Sequence, residues 1–140
     1  MSNIVKFFVA TNDGAIGSLH IGPDSSLRSI TFGNFDAEEA ILDWEARLTG
    51  ISFDSLVESD LPEVVEESDG GALVLRLSDS LVDSLDRASA SQILDLASWW
   101  ASEEKAGKIE PAVAVGILQG LVELIREERH SGMFVFCWTS

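Results

Sequence analysis

The sequence predicts a single α+β domain, residues 1–140, in which about four strands form a sheet packed by several helices, with the C-terminal helix at the centre. Three observations support this prediction. The chain has 140 residues, which is the usual size of one domain. Its hydrophobic content of 46% is typical of a protein with a substantial core. Runs of β-forming residues alternate with apolar stripes at helical spacing, without a repeat of fixed period.

Two strands are predicted in the N-terminal part of the chain. Residues 4–10 are apolar on both faces apart from one lysine, which is typical of a central strand covered on both sides. Residues 12–21 fit a short helix, but two glycines weaken that interpretation, so helix and strand both stay open. The second strand is predicted at 27–33, where Ile30 and Phe32 face the same side.

The clearest helix of the N-terminal half is predicted over residues 36–48. Asp36 is a good N-cap, and Glu39 stands three residues on, where a capping box places its acid. Apolar residues recur at intervals of three and four and form one stripe along this helix. Asp43 and Arg47 are four residues apart and are expected to form an ion pair on its surface.

The middle of the chain is predicted to hold a short helix, a loop and a strand. The helix covers residues 53–57 and is closed by Pro62. Residues 63–71 are acidic and end in two glycines, so we expect a solvated loop there. A third strand follows at 72–77, with three leucines on one of its faces.

Three helices and a last strand are predicted in the C-terminal half. Ser78 is expected to cap a short helix. Residues 89–92 match a capping box that opens a helix reaching to about residue 106, with Leu94 on its apolar stripe and Leu96 off it. A proline in the first turn begins the helix at 111–129, and an apolar strand is expected after it at 133–138.

The helix at 111–129 is apolar on nearly every side, so we expect sheet and helices to enclose it. Val113, Ile117, Leu121 and Leu124 are expected to share one buried face, because residues three and four apart lie on the same side of a helix. The preceding helix carries Trp99 and a second tryptophan directly after it, which point about 100° apart. Trp99 is therefore either a half-exposed anchor for a partner or part of a helix packed on two sides, and a neighbouring leucine favours the second interpretation.

The negative charge of the chain is concentrated in one region. The formal net charge is −15, and residues 34–69 hold twelve acids and a single base, Arg47. Such a field attracts basic partners and also keeps a protein in solution. It disfavours nucleic acid and anionic membranes, because both are bound through lysine and arginine.

The sequence suggests a reducing, cytoplasmic setting. One cysteine, Cys137, allows no internal disulfide, and no signal peptide is recognised at the start of the chain. No apolar run approaches the ~20 residues of a membrane span.

Few residues of the sequence are suited to catalysis or to metal binding. His20 and His130 are the only histidines, and neither stands at the spacing of metal ligands. Cys137 lies in an apolar strand, where nothing lowers the pKa of its thiol. The acids of 36–69 are expected on polar faces, where no burial shifts their pKa. We therefore predict no catalytic residue, no metal site and no cofactor.

These observations favour a non-enzymatic, acidic protein-binding module that engages a basic protein, as an immunity or inhibitor protein of a bacterial toxin does. The alternatives are a mimic of nucleic-acid charge and a small-ligand binder or enzyme of unknown reaction. We expect no direct contact with nucleic acid and none with a membrane. The candidate binding residues are Asp36, Glu38, Glu39, Asp43, Asp54, Glu58, Asp60, Glu63, Glu66, Glu67 and Trp99.

One short block resembles known bacterial proteins. Trp44-Glu45-Ala46-Arg47-Leu48-Thr49-Gly50, with the acidic stretch after it and a late helix ending in an apolar strand, resembles the YfbM-like family of uncharacterised proteins. The block from Gly33 to Gly50 also resembles small acidic proteins of actinobacteria. The resemblance implies a bacterial, cytoplasmic α+β protein, and it assigns no catalytic residue.

Overall fold

The computed structural model describes residues 4–15, 28–33, 35–102 and 109–140. Their strands are β1 (Ile4–Ala10), β2 (Ser29–Gly33), β3 (Glu63–Glu67), β4 (Leu73–Arg76) and β5 (Phe134–Thr139). Their helices are α1 (Asn12–Ala15), α2 (Ala37–Thr49), α3 (Phe53–Glu58), α4 (Asp79–Arg87), α5 (Ala90–Ser102) and α6 (Pro111–Glu128). All pairings are antiparallel and give one sheet in the order β2-β1-β5-β4-β3. The predicted α+β class is confirmed, with one more strand than expected.

The last strand of the chain lies in the middle of the sheet. β5 pairs with β1 on one side and with β4 on the other, so that Cys137 stands between Phe7 and Leu75. A strand with two neighbours has its main-chain groups paired on both sides, and its side chains are covered where both faces pack. The apolar sequences of β1 and β5 suit this central position, whereas β2 and β3 form the two edges.

Helices α2, α4, α5 and α6 cover one face of the sheet and make the larger core. Alternate residues of the central strands, such as Phe7 and Val135, turn towards this face. α6 packs against α5 and α4 and reaches β1 and β2, while α2 packs against α3, α4 and α5. Ile30 and Phe32 of β2 both pack on this core, as their alternation predicted.

The opposite face of the sheet is buried as well. Phe8, Val74 and Phe136 have no exposed surface, and the rings of Phe8 and Phe136 stack with their centres 5.6 Å apart. Ala15 of α1 belongs to the same cluster. This double coverage confirms the prediction that residues 4–10 form a covered strand.

The predicted helix caps are present. The side chain of Asp36 accepts a hydrogen bond of 3.0 Å from the main-chain N–H of Glu39. In the capping box of α5, Gln92 N–H donates to Ser89 Oγ at 3.2 Å, and Ser89 N–H donates to the Gln92 side-chain oxygen at 2.8 Å. Gly50 ends α2 with a φ of 77°, a conformation that glycine adopts without strain.

The prediction of a loop at 63–71 is wrong for residues 63–67. Glu63–Glu67 forms the edge strand β3, which pairs with β4 and contains a register shift between Val64 and Glu66. An edge strand tolerates charged side chains, because one of its sides faces water. An acidic edge strand therefore has a composition similar to that of a solvated loop, and the local sequence does not distinguish the two.

Two helical stripes are also shifted from their predicted positions. Val113 is 54% exposed, because the buried stripe of α6 begins at Ala114 and Val113 lies at its margin. α6 therefore buries one face and is not enclosed on all sides. On α5, Leu96 is buried and Leu94 is 48% exposed, the reverse of the expected pattern.

Some predictions fall on residues that the structure does not describe. Residues 12–15 are helical, and the rest of the segment 12–21, including His20, lies outside the described residues. The same holds for the predicted end of α5 beyond residue 102.

Candidate protein-binding surface

The twelve acids of residues 34–69 divide into exposed and buried groups. Glu39 and Glu66 are partly buried, whereas Asp43 and Glu45 are buried at 7% and 3% exposure. The expectation that all of them lie on polar faces is therefore wrong for Asp43 and Glu45. The acids with exposed side chains are Asp36, Glu38, Asp54, Glu58, Asp60, Glu63, Glu67 and Asp69.

The buried carboxylate of Glu45 joins two helices. The hydroxyl of Ser78 donates a hydrogen bond of 2.6 Å to Glu45 Oε1. The same hydroxyl oxygen accepts from the main-chain N–H of Leu81 at 3.1 Å, which makes Ser78 the N-cap of α4. A negative charge at a helix N-terminus is favourable, because the helix dipole is positive there. Glu45 thus holds α2 against the start of α4 and is not available to a partner.

Arg47 pairs with an acid on another helix, in addition to any contact with Asp43 that its spacing predicted. Arg47 Nη2 lies 3.4 Å from Asp95 Oδ2 on α5, and its guanidinium stands 5.2 Å from the centre of the Trp99 ring. Asp43 is buried, and the i, i+4 spacing alone did not predict the pairing of Arg47 with Asp95.

Trp99 is half-buried beneath Arg47 and packs against the main core. Its neighbour Trp100 is buried, edge-on to Trp44 with ring centres 5.1 Å apart. Phe35 is also buried, edge-on to Trp100 at 5.4 Å. α5 is therefore packed on two sides, as the second interpretation of Trp99 held. Binding of a partner by Trp99 stays a prediction.

Most described arginines are engaged by acids outside the acidic region. Arg129 lies 3.2 Å from Asp83, and Arg126 lies 3.5 Å from Asp86. Arg28 pairs with Glu127 and Glu128 at the end of α6, and the contact with Glu127 raises the pKa of its guanidinium.

Arg76 forms an ion pair with an acid of the acidic region. It stands 3.8 Å from Glu63, and it is also 3.5 Å from Asp79. Among the described residues, no base forms an ion pair with Asp54, Glu58, Asp60 or Glu67.

The exposed acids of residues 51–67 are interleaved with exposed apolar side chains. We call this stretch, which carries α3 and β3 and contains no lysine or arginine, the α3–β3 segment. Ile51, Val57 and Val64 are 43%, 49% and 45% exposed. They are half of the six large hydrophobic side chains that are exposed in the described part of the chain. The segment thus presents apolar contact area among acidic side chains, of which Glu63 is paired with Arg76.

A groove of about 550 Å³ lies between α4 and the C-terminal end of α6, and His130 is among its lining residues. The arginines that line this groove are held by bonds to other residues of the protein. Arg126 donates to the main-chain oxygens of Asp86 and Ala88 at 2.7 and 3.0 Å, and Arg129 pairs with Asp83. These bonds fasten the end of α4 to α6.

Cys137 is buried in β5, as predicted, and burial raises the pKa of its thiol far above the ordinary value. In the ranges that the structure describes, no three or more His, Cys, Asp or Glu residues are grouped so that they could hold a metal ion. None of the helices in those ranges is both long and apolar enough to cross a membrane.

Comparison with known protein families, with curated proteins and with solved structures finds no match to this chain. The resemblance of residues 44–50 to the YfbM-like family therefore stays an expectation based on a short motif.

Proposed function

We propose that the protein is a non-enzymatic module that binds a basic protein through its α3–β3 segment, assisted by the exposed acids at the start of α2. The observation that carries this proposal is the combination, in residues 51–67, of acids without a base and of three exposed apolar side chains. An immunity or inhibitor protein that neutralises a basic toxin fits this description.

The two kinds of side chain have different roles in such an interface. Acids such as Glu58 and Glu67 attract a basic partner over a distance and increase its rate of association. Val57 and Val64 provide the apolar contact that forms the centre of a stable interface. A surface that served solubility alone would need the acids and not the exposed valines.

Affinity capture with matched variants tests the proposal. Wild-type protein is immobilised beside Glu58→Gln/Glu67→Gln and beside Glu110→Gln/Glu123→Gln, and an extract of the producing organism is passed over each at low salt. Each variant removes two exposed acids, but Glu110 stands at the N-cap position of α6 without a side-chain capping bond and Glu123 lies on α6, which packs on the β1–β2 side of the sheet. We expect a basic protein to be retained by the wild type and by the α6 variant, and to be lost from the α3–β3 variant. Equal retention by all three would refute the proposal.

The groove at His130 favours a second candidate function, the binding of a small ligand. Its lining combines His130 with aspartates, arginines and apolar side chains that include Phe134 of β5. A ligand in this groove would raise the melting temperature of the wild type, and the rise would be smaller in His130→Ala. A ligand that stabilises both proteins equally binds elsewhere.

A further inference from the structure

We propose that the outer edge of β3 receives an extended basic segment of the partner as an additional strand of the sheet. This inference rests on the proposed function, because the occupant it names is part of the basic partner. It adds the mode of recognition, which is main-chain pairing at a sheet edge and not contact between side chains alone.

The first step of the argument is the open edge. Among the described residues, β4 is the only strand that pairs with β3, and no main-chain hydrogen bond joins Glu63–Glu67 to a described residue outside the sheet. In an antiparallel ladder, alternate residues direct their N–H and C=O groups away from the neighbouring strand. Such a row of unpaired groups is a template for a further strand.

The second step is the choice of occupant. β3 has the sequence Glu-Val-Val-Glu-Glu, with three acids and no base. Like charges that stand opposite each other across two strands are destabilising, and opposite charges are stabilising. A second copy of this edge is therefore repelled, and a strand that carries lysine or arginine is favoured.

The third step is the distribution of side chains over the two faces of β3. Glu63 and Glu66 stand opposite Arg76 and Val74, and so share one face of the sheet. The register shift places Val64, opposite Leu75, on the other face together with Glu67. Both faces of β3 thus carry acidic side chains, and the face with Glu67 also carries the exposed Val64. The matching segment has basic residues on both faces and an apolar residue opposite Val64.

Two peptides with equal charge and the same side chains test this mode of binding. One is a short peptide of lysine and valine with basic residues on both faces, and the other is the same peptide with alternate main-chain nitrogens methylated. Methylation removes N–H donors and leaves the charge in place. Binding of each to the full-length protein is measured by fluorescence anisotropy, and hydrogen exchange of the β3 amides is followed with and without peptide.

We expect the unmodified peptide to bind about tenfold more tightly than the methylated one, because each lost hydrogen bond weakens binding and two or three are removed. We also expect slower exchange of β3 amides when the unmodified peptide is bound. Glu63→Gln/Glu67→Gln should weaken both peptides, and Glu110→Gln/Glu123→Gln should weaken neither.

The outcomes separate this inference from the proposed function. Equal binding of the two peptides without protection of β3 would overturn strand addition, while the acidic surface would still be shown to bind a basic chain. If neither peptide binds even at low salt, both the inference and the proposed function fail.

Discussion

Replacing Leu121 by alanine should strongly destabilise the protein, whereas the same replacement at Val113 on the same helix should not. Leu121 has no exposed surface, and Val113 is 54% exposed. The loss of three buried carbons from Leu121 costs about 2.4 kcal/mol at ~0.8 kcal/mol per methylene group. The cavity left behind raises the cost to ~3–5 kcal/mol. That is a large part of the ~5–15 kcal/mol that stabilises a typical domain.

For Val113, burial contributes little and helix propensity has the opposite sign. Alanine is a better helix former than valine by up to ~0.7 kcal/mol, which offsets the small loss of contact. We expect the free energy of unfolding to change by less than ~0.5 kcal/mol, as is usual at the surface.

Urea denaturation of the two variants beside the wild type measures both free energies. With a slope of ~2 kcal/mol per molar urea, Leu121→Ala should lower the midpoint by roughly 2 M. Val113→Ala should leave the midpoint nearly unchanged. Equal midpoints for the two variants would refute the placement of α6, because the sequence pattern alone put both residues on one buried face.

Three further predictions follow from the buried groups and the charge. Glu45→Ala should lower the free energy of unfolding by ~1–3 kcal/mol, because it leaves the Ser78 hydroxyl without its acceptor. Glu45→Gln should cost less, and Glu38→Ala should cost less than ~0.5 kcal/mol. Equal losses in all three variants, measured by denaturation, would contradict this role of Glu45. Raising the salt concentration to about 0.1 M should raise the melting temperature, because it screens repulsion among the acids of 34–69 beyond ~10 Å; a flat or falling melting temperature would show that those acids do not repel. Because burial raises the pKa of Cys137, the contribution of this thiol to stability should be complete below the ordinary thiol pKa of ~8.5 and should be lost as the pH rises above that value. If a Cys137→Ala protein loses stability equally steeply above that pH, the loss comes from other groups.

The features that the sequence predicted correctly are those set by local chemistry. The caps at Asp36 and at Ser89 depend on residues within one helical turn, so the sequence contains all the information. The covered strands β1 and β5 are recognisable because both of their faces are apolar. These elements need no knowledge of distant neighbours.

The features that the sequence did not predict depend on how elements meet. Glu45 resembles a surface acid until Ser78, thirty-three positions further along the chain, brings the start of α4 against it. Arg47 has an acid at the correct helical spacing and nevertheless pairs with Asp95 on another helix. β3 is a strand because β4 offers it an edge, although its own residues resemble a loop. The candidate surface was therefore located by charge, and its apolar residues became visible only in the folded protein.

The rate at which the captured basic partner associates, measured by stopped-flow mixing over a range of salt concentrations, tests the central claim most directly. Steered association is fast at low salt and falls steeply as salt screens the field. The account predicts a steep fall for the wild type and for Glu110→Gln/Glu123→Gln, and a slower, less salt-dependent rate for Glu58→Gln/Glu67→Gln. An association rate that is independent of salt, or that changes equally in both variants, would contradict the claim that the α3–β3 segment engages the partner.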